Sequence, residues 1–191
     1  MPSFPTLPTP LANDTVELRL ATERDIPEIL IAHQDDPELY RRLRLERPPS
    51  GAELGTRTEL ASTERAGGLR LWLTIVIPDS DECKGQIDVH DADLPFGRAD
   101  LDIWVVPQHR GRGLGTAALE LAGRWLVGTH GIERLQLFID PDNAPMLAAA
   151  AAAGFHREGL LRGYFSAGRR GRLDAEAWSL VRRDLAQTPR A

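Results

Sequence analysis

The sequence predicts a mixed α/β domain: a central, mostly antiparallel sheet of about six to seven strands with helices on both faces. Three observations predict it. Strand-like and helix-like patterns alternate along the chain. The run Leu69–Ile77 is almost wholly apolar, as a central strand covered on both faces must be. Between Trp104 and Leu119 an apolar strand ends at Pro107, three glycines follow, and an Ala/Leu-rich helix pattern runs on to about Val127. At 191 residues and 42% hydrophobic content, one core of ordinary size is expected.

Taken in order, residues 1–14 hold Pro2, Pro5, Pro8 and Pro10 with no positively charged side chain and no apolar block. They read as a loose arm, not a secretion signal. The domain is expected over residues 15–185, with a tail at 186–191. Thr15–Leu20 alternates as a strand, and Thr22 caps a helix near Arg24–His33. Helical stretches follow at Asp36–Leu45, stopped by Pro48 and Pro49, and at Gly51–Arg65. Strands are expected at Gln86–His90 and Ala99–Val106, joined by a turn-rich link, Asp91–Gly97. After the glycine-rich segment come a strand at Leu135–Ile139, a helix at Ala144–Ala153 and strands near Phe155–Tyr164 and Ala175–Val181. The six alanines at 148–153 favour helix and allow close packing, and Gly154 ends it.

The chemistry concentrates at Gln108–Thr116. Gly111, Gly113 and Gly115 leave the backbone bare, so successive N–H groups can turn toward one anion. The following helix brings its unpaired amides and its dipole to the same place. No acid occurs between Asp102 and Glu120, and Arg110 and Arg112 flank the loop, so a ligand is expected to supply the negative charge. A plain turn with solvated arginines needs one glycine rather than three. A Walker-type loop is excluded because the only lysine is Lys84, and Thr116 stands where the dinucleotide fingerprint needs glycine.

The motif Gln108-His-Arg-Gly111-Arg-Gly113 resembles the phosphate-binding motif of the GNAT acyltransferases. The likeness runs from about Thr15 to Leu185. Leu18–Asp25 is similar to the opening strand and helix start of the branch containing the RimJ/RimL-type ribosomal-protein alanine acetyltransferases. Asp140-Pro-Asp-Asn143, Gly154-Phe155, Glu158-Gly159 and the run Asp174–Val181 resemble its closing elements. The resemblance implies the GNAT fold and an acyl-CoA donor whose pantetheine runs beside the strand at Trp104, Val105 and Val106. It implies donor binding by Gln108, Arg110, Gly111, Arg112, Gly113, Leu114, Gly115, Thr116 and Asn143, without a metal.

Acyl transfer to an amine requires that the amine lose a proton and that the leaving thiolate be stabilised. Period-2 alternation puts Asp100, Asp102, Trp104 and Val106 on one strand face, and Ala99, Leu101, Ile103 and Val105 on the other. Gln86, Asp88 and His90 form a second polar face. Asp100, Asp102, Asp88 and His90 are therefore candidate proton acceptors. Asp100 is first among them, because it matches the acidic position of the family's Ala-Glu-Ile-Gly-x-Trp pattern. The alternative is that these carboxylates pair with arginines or face solvent. The positions where relatives keep a hydroxyl as acid are Ala150 and Met146 here, leaving Tyr164 and Ser166 as substitutes. The missing donor need not abolish transfer, since a thiolate leaves well near neutral pH.

The expected reaction is transfer of acetyl from acetyl-CoA to a primary amine, either a protein N-terminus or a small cationic amine, in one ternary complex. A larger acyl group such as succinyl, or a non-catalytic acyl-CoA sensor, keeps the same fold. From Asp79 to Asp102 eight acids face only Lys84 and Arg98, which would attract a cationic amine; solvated turns explain it equally. Arg162, Arg169, Arg170 and Arg172 make the last hairpin basic. A net charge of −5 argues against general nucleic-acid binding, and no apolar stretch reaches the ~18–20 residues of a membrane span. One cysteine, Cys83, excludes an internal disulfide framework, and a cytoplasmic location is the expectation. His33, His109, His130 and His156 lack metal-ligand spacing. A homodimer is left open.

Overall fold

A computed structural model describes residues 3–4, 6–7, 11–129, 131–166 and 171–185. Its strands are β1 (Leu11–Ala12), β2 (Glu17–Leu20), β3 (Leu71–Val76), β4 (Gly85–Asp93), β5 (Arg98–Val105), β6 (Arg134–Ile139), β7 (His156–Ser166) and β8 (Arg172–Val181). They form one sheet in the order β1-β2-β3-β4-β5-β6-β8-β7. Among the described residues, only β5 and β6 pair in parallel. Helices are α1 (Ile26–Asp35), α2 (Leu39–Arg42), α3 (Gly51–Ala66), α4 (Leu114–Thr129), α5 (Ala144–Ala152) and α6 (Arg182–Leu185).

The two sheet faces have different partners. Leu73, Ile87, Leu101 and Leu135 are fully or almost fully buried and belong to one cluster with Ala118, Leu119 and Leu126 of α4. Removing each such leucine from water contributes about 2–3 kcal/mol. The opposite face carries polar residues in cross-strand register, Trp72 beside Asp88 beside Asp102, and Thr74 beside Gln86 beside Trp104. Helices α1 and α3 cover this face through Ile29 and Leu54, which pack with Trp104. All six residues of β3 are buried, as its apolar run requires.

Asp25 fastens α1 to this face. It is 1% exposed and accepts from Thr22 N at 2.9 Å and from Thr74 Oγ1 at 2.6 Å. Arg19 supplies its countercharge at 2.7 Å. Without these partners a buried carboxylate would be costly.

The structure departs from the sequence-based expectation in several places. The sheet has eight strands, because Leu11–Ala12 of the expected loose arm pairs with β2, while both strands of the last hairpin form as expected. Phe4, in the same arm, is 2% exposed, and its amide donates to Arg65 O at 3.1 Å. The expected helix Asp36–Leu45 shrinks to α2: Asp36 Oδ1 accepts from Glu38 N and holds a turn, and Arg44 has a left-handed φ of 60°. β4 continues three residues past His90, so the expected link contracts to one turn, Leu94–Phe96, before Gly97. Of the basic hairpin tip, residues 168–170 lie outside the described residues, as does His130.

Gly85 marks a close approach. A Cβ there would lie 2.2 Å from Trp104 O and 3.0 Å from Val105 Cα, both backbone atoms of β5. Gly85→Ala should therefore push β4 from β5 and cost about 2–3 kcal/mol, read as a clear drop in melting temperature. Gly55, in α3, has nothing within 4 Å of the same added carbon. Gly55→Ala should stabilise by about 0.5–1 kcal/mol in the same melt.

Candidate active site

The site exists because β5 and β6 part company. Their parallel register covers Arg98↔Arg134, Ala99↔Leu135 and Asp100↔Gln136, and stops there. β5 continues to Val105 and β6 to Ile139, so the two strands diverge. A cavity of about 1270 Å³ fills the wedge, lined by Leu101–Val105 of β5 and Leu137–Ile139 of β6. Its volume exceeds the ~300–1,000 Å³ of most small-molecule sites and suits a long ligand.

The glycine-rich loop closes one end of this cavity. Gly111 and Gly113 have φ of 71° and 82°, a conformation other residues adopt only with strain. Between them they turn the chain so that α4 starts at Leu114. The first bond into α4 runs from Ala117 N to Gly113 O at 3.0 Å. The amides from Gly111 to Thr116 have no acceptor among the described residues. Donors converging at a helix start are an anion site. Arg112 is exposed beside them, and among the described residues no carboxylate lies within 4.0 Å of it. A Cβ added at Gly115 would meet Val105 Cγ2 of β5 at 3.7 Å, an ordinary van der Waals contact.

Other expected donor-binding residues are already engaged. Arg110 donates to Val105 O at 2.9 Å and pairs with Asp36 at 2.7 Å. Gln108 donates to Asp35. These two side chains therefore tie the loop to the C-terminal end of α1. Val106 is 9% exposed and its amide is taken by Lys84 O at 2.9 Å. Asn143 caps α5, accepting from Met146 N at 3.4 Å, and lines the cavity.

A second cavity, about 420 Å³, lies between α1, α3 and the polar face. It shares Leu43, Leu45 and Glu46 as well as Asp102 and Trp104 with the first, so the two meet between that pair on β5 and the segment after α2. Arg44 lies across the meeting point. It pairs with Asp102 of β5, reaches Phe138 O of β6 at 3.5 Å, and sits 4.6 Å from the centre of the Phe165 ring.

The four candidate proton acceptors separate clearly. Asp102 lines both cavities. Burial would raise its pKa, but His90 and Arg44 outweigh burial and hold it below its ordinary value. Asp88 is paired with Arg70 at 2.7 Å, and burial still pushes its carboxyl up. Asp100 lines neither cavity; it accepts from Gln136 Nε2 at 2.8 Å at the apex of the wedge, with its pKa raised by burial. His90 sits 3.3 Å from Asp102 and 2.9 Å from Asp91. Burial opposes its charge, yet the bond to Asp102 and the charges of Asp88 and Asp102 push it up to about 9.

The candidate acids are placed just as unevenly. Tyr164 is 41% exposed, stacked 4.6 Å from Phe138 and edge-on to Phe165, and does not line the wedge cavity. Ser166 and Met146 line it, whereas Ala150 is fully buried in the core. Arg44, Arg57, Arg70 and Trp72 were not singled out from the sequence. Arginines are common on helices and loops, and only the folded chain shows that these face the polar strand row.

A wedge between two parallel strands, closed by a loop of free amides at a helix start, defines an acyltransferase of the kind expected. The family model for the acetyltransferase (GNAT) domain matches residues 15–156. The chain belongs to the GNAT acetyltransferase family. It is similar to the uncharacterized N-acetyltransferase p20 of Bacillus licheniformis, 23% identical over 165 residues, covering 86% of this chain and 92% of that protein. RimJ of Mycobacterium smegmatis, solved with CoA-disulfide, superposes with a TM-score of 0.74 at 22% identity, over 91% of this chain and 85% of that one. The spermidine N-acetyltransferase of Vibrio cholerae, solved with CoA and spermine, gives 0.77 at 17% identity, over 92% and 100%.

The His90 cluster sets a pH dependence of stability. The folded state holds the His90 proton up to about 9, against an ordinary value of 6.5. Its contribution is therefore complete below the ordinary value and is lost as pH rises through the folded one. Denaturant midpoints should fall across that window, and His90→Gln should flatten the slope. An unchanged slope would show that His90 is not held charged.

Proposed function

We propose that this GNAT acetyltransferase uses acetyl-CoA and transfers acetyl directly to a primary amine in one ternary complex. The observation that carries the reading is the loop of unpartnered amides from Gly111 to Thr116 at the end of the β5–β6 wedge. The donor's pyrophosphate fits those amides and Arg112, and its thioester arm fits the wedge beside Leu101–Val105. The second cavity meets the wedge at Asp102 and Trp104, and it is where an amine can approach from outside.

In this reading the amine lone pair attacks the thioester carbonyl carbon, the C–S bond breaks and sulfur leaves as thiolate. The proton lost by nitrogen passes across the Asp102 carboxylate to His90 in its neutral form, which becomes the main form only above about 9, and whose far nitrogen faces the exposed Asp91. Asp102, held below the ordinary carboxylate range, is too weak a base for an ammonium by itself. His90, at about 9, is matched to one. Asp100, first in line from the sequence, stands behind the wall and is assigned no direct contact. No hydroxyl occupies positions 146 or 150, and the thiolate leaves without a dedicated donor.

Two measurements test this. Gly113→Val puts a branched side chain at a φ of 82°, which should distort the loop and weaken coenzyme A binding at least tenfold by calorimetry. Undiminished affinity would remove the loop from the donor site. Asp102→Asn should lower kcat by roughly 10²-fold with coenzyme A affinity kept, and a larger loss in Asp100→Asn would return the role to Asp100. The log of kcat/KM should also rise with pH toward the His90 value of about 9, and His90→Gln should remove that inflection.

A further inference from the structure

The second cavity is rich in hydrogen-bond donors that have no partner. Gln86 is 1% exposed; its Oε1 accepts from Arg57 at 3.0 Å, and its Nε2 has no acceptor. Trp72 Nε1 and His33 Nδ1 on the same cavity are also buried without a partner. A buried donor left unpaired is costly and uncommon, so two around one cavity, Gln86 Nε2 and Trp72 Nε1, point to a missing acceptor. Arg57 adds charge. Its guanidinium stacks 4.1 Å from the centre of the Trp72 ring, and among the described residues no carboxylate lies within 4.0 Å of it. Burial pulls its pKa down despite the charge of Asp88 nearby.

The acids around the cavity are taken by other cations. Asp88 pairs with Arg70, Glu53 with Arg47 at 2.7 Å, and Asp102 with Arg44 and His90. Glu46 stands exposed at the rim, where the cavity meets the wedge. The deep end thus presents Arg57 and the Gln86 amide, and the end toward the thioester presents Asp102. An amine with a second positive charge would have to place it against Arg57, Arg70 and Arg47.

We propose that the acceptor is a small amino-carboxylate, with its carboxylate on Arg57 Nη and Gln86 Nε2 and its amine at the Asp102 end. This deepens the assignment of the second cavity to the acceptor and rests on it. A cavity of about 420 Å³ accommodates an amino acid or a compact derivative. Arg57 lines this cavity and not the wedge, so the carboxylate belongs to the acceptor and not to the acyl group.

The test uses the full chain saturated with coenzyme A and a set of N-acetyl amino acids as product probes, each against the matching N-alkylacetamide that lacks the carboxylate. Calorimetry or quenching of tryptophan fluorescence should show the carboxylate member binding at least tenfold tighter for some pair. Arg57→Gln should erase the difference and Arg57→Lys should restore part of it. Gln86→Glu, which supplies a carboxylate from within, should erase it as well. Coenzyme A affinity, measured for each variant, reports whether it is folded. Equal binding within every pair by wild-type protein overturns the inference while leaving acetyl transfer intact. Failure of coenzyme A to bind overturns the proposed function instead. With succinyl-CoA and acetyl-CoA as donors, an Arg57→Gln loss confined to succinyl transfer would move the carboxylate from acceptor to acyl group and overturn the assignment.

Discussion

Everything in this molecule that can do chemistry depends on where β5 and β6 stop pairing. Parallel strands joined through a helix normally stay in register until one ends, and here the register ends at Asp100↔Gln136 with several residues of each strand still to run. The separation opens the wedge and leaves the connection from β5 to α4 above it. Gly111 and the residues Gly113–Thr116 line the wedge's end, and their amides have no acceptor among the described residues. The buried cluster of α4 against Leu101, Leu135 and Leu137 keeps that geometry rigid, since a core packed this closely cannot deform continuously.

Charge pairing organises the other face. Asp25, Asp88 and Asp102 are each met by an arginine from a different element: Arg19, Arg70 and Arg44. Each pair ties a peripheral segment to the sheet, and Arg44 in particular spans the wedge from β5 to β6. Arg57 breaks the pattern, as a half-buried arginine with a neutral partner. Asp100 likewise has a neutral partner, Gln136, but it lines neither cavity, whereas Arg57 lines the second.

Much of the fold was legible because it rests on local rules. The period-2 face of β5, the double-sided burial of β3 and the glycine loop before α4 all follow from spacing and backbone sterics. The site was legible only in part. Gly111 and Gly113 could be read because glycine alone takes their left-handed backbone without strain, whereas Arg110 and Gln108 turn out to hold Asp36 and Asp35, partners more than 70 positions away in sequence. Arg44 carries no mark in sequence, since its left-handed φ normally belongs to glycine or asparagine. Ranking Asp102 over Asp100 needed the fold. Both share one face, and only the divergence of the strands shows which one lines the cavities.

Hydrogen–deuterium exchange on the full chain, with and without coenzyme A, tests the central claim most directly. The amides from Gly111 to Thr116 exchange freely when they lack acceptors and should slow on addition of coenzyme A, together with those of β5 from Asp102 to Val105. Residues Leu71–Val76, buried within the sheet, should not change. Protection that appeared elsewhere and spared Gly111–Thr116 would contradict the wedge and its loop as the donor site.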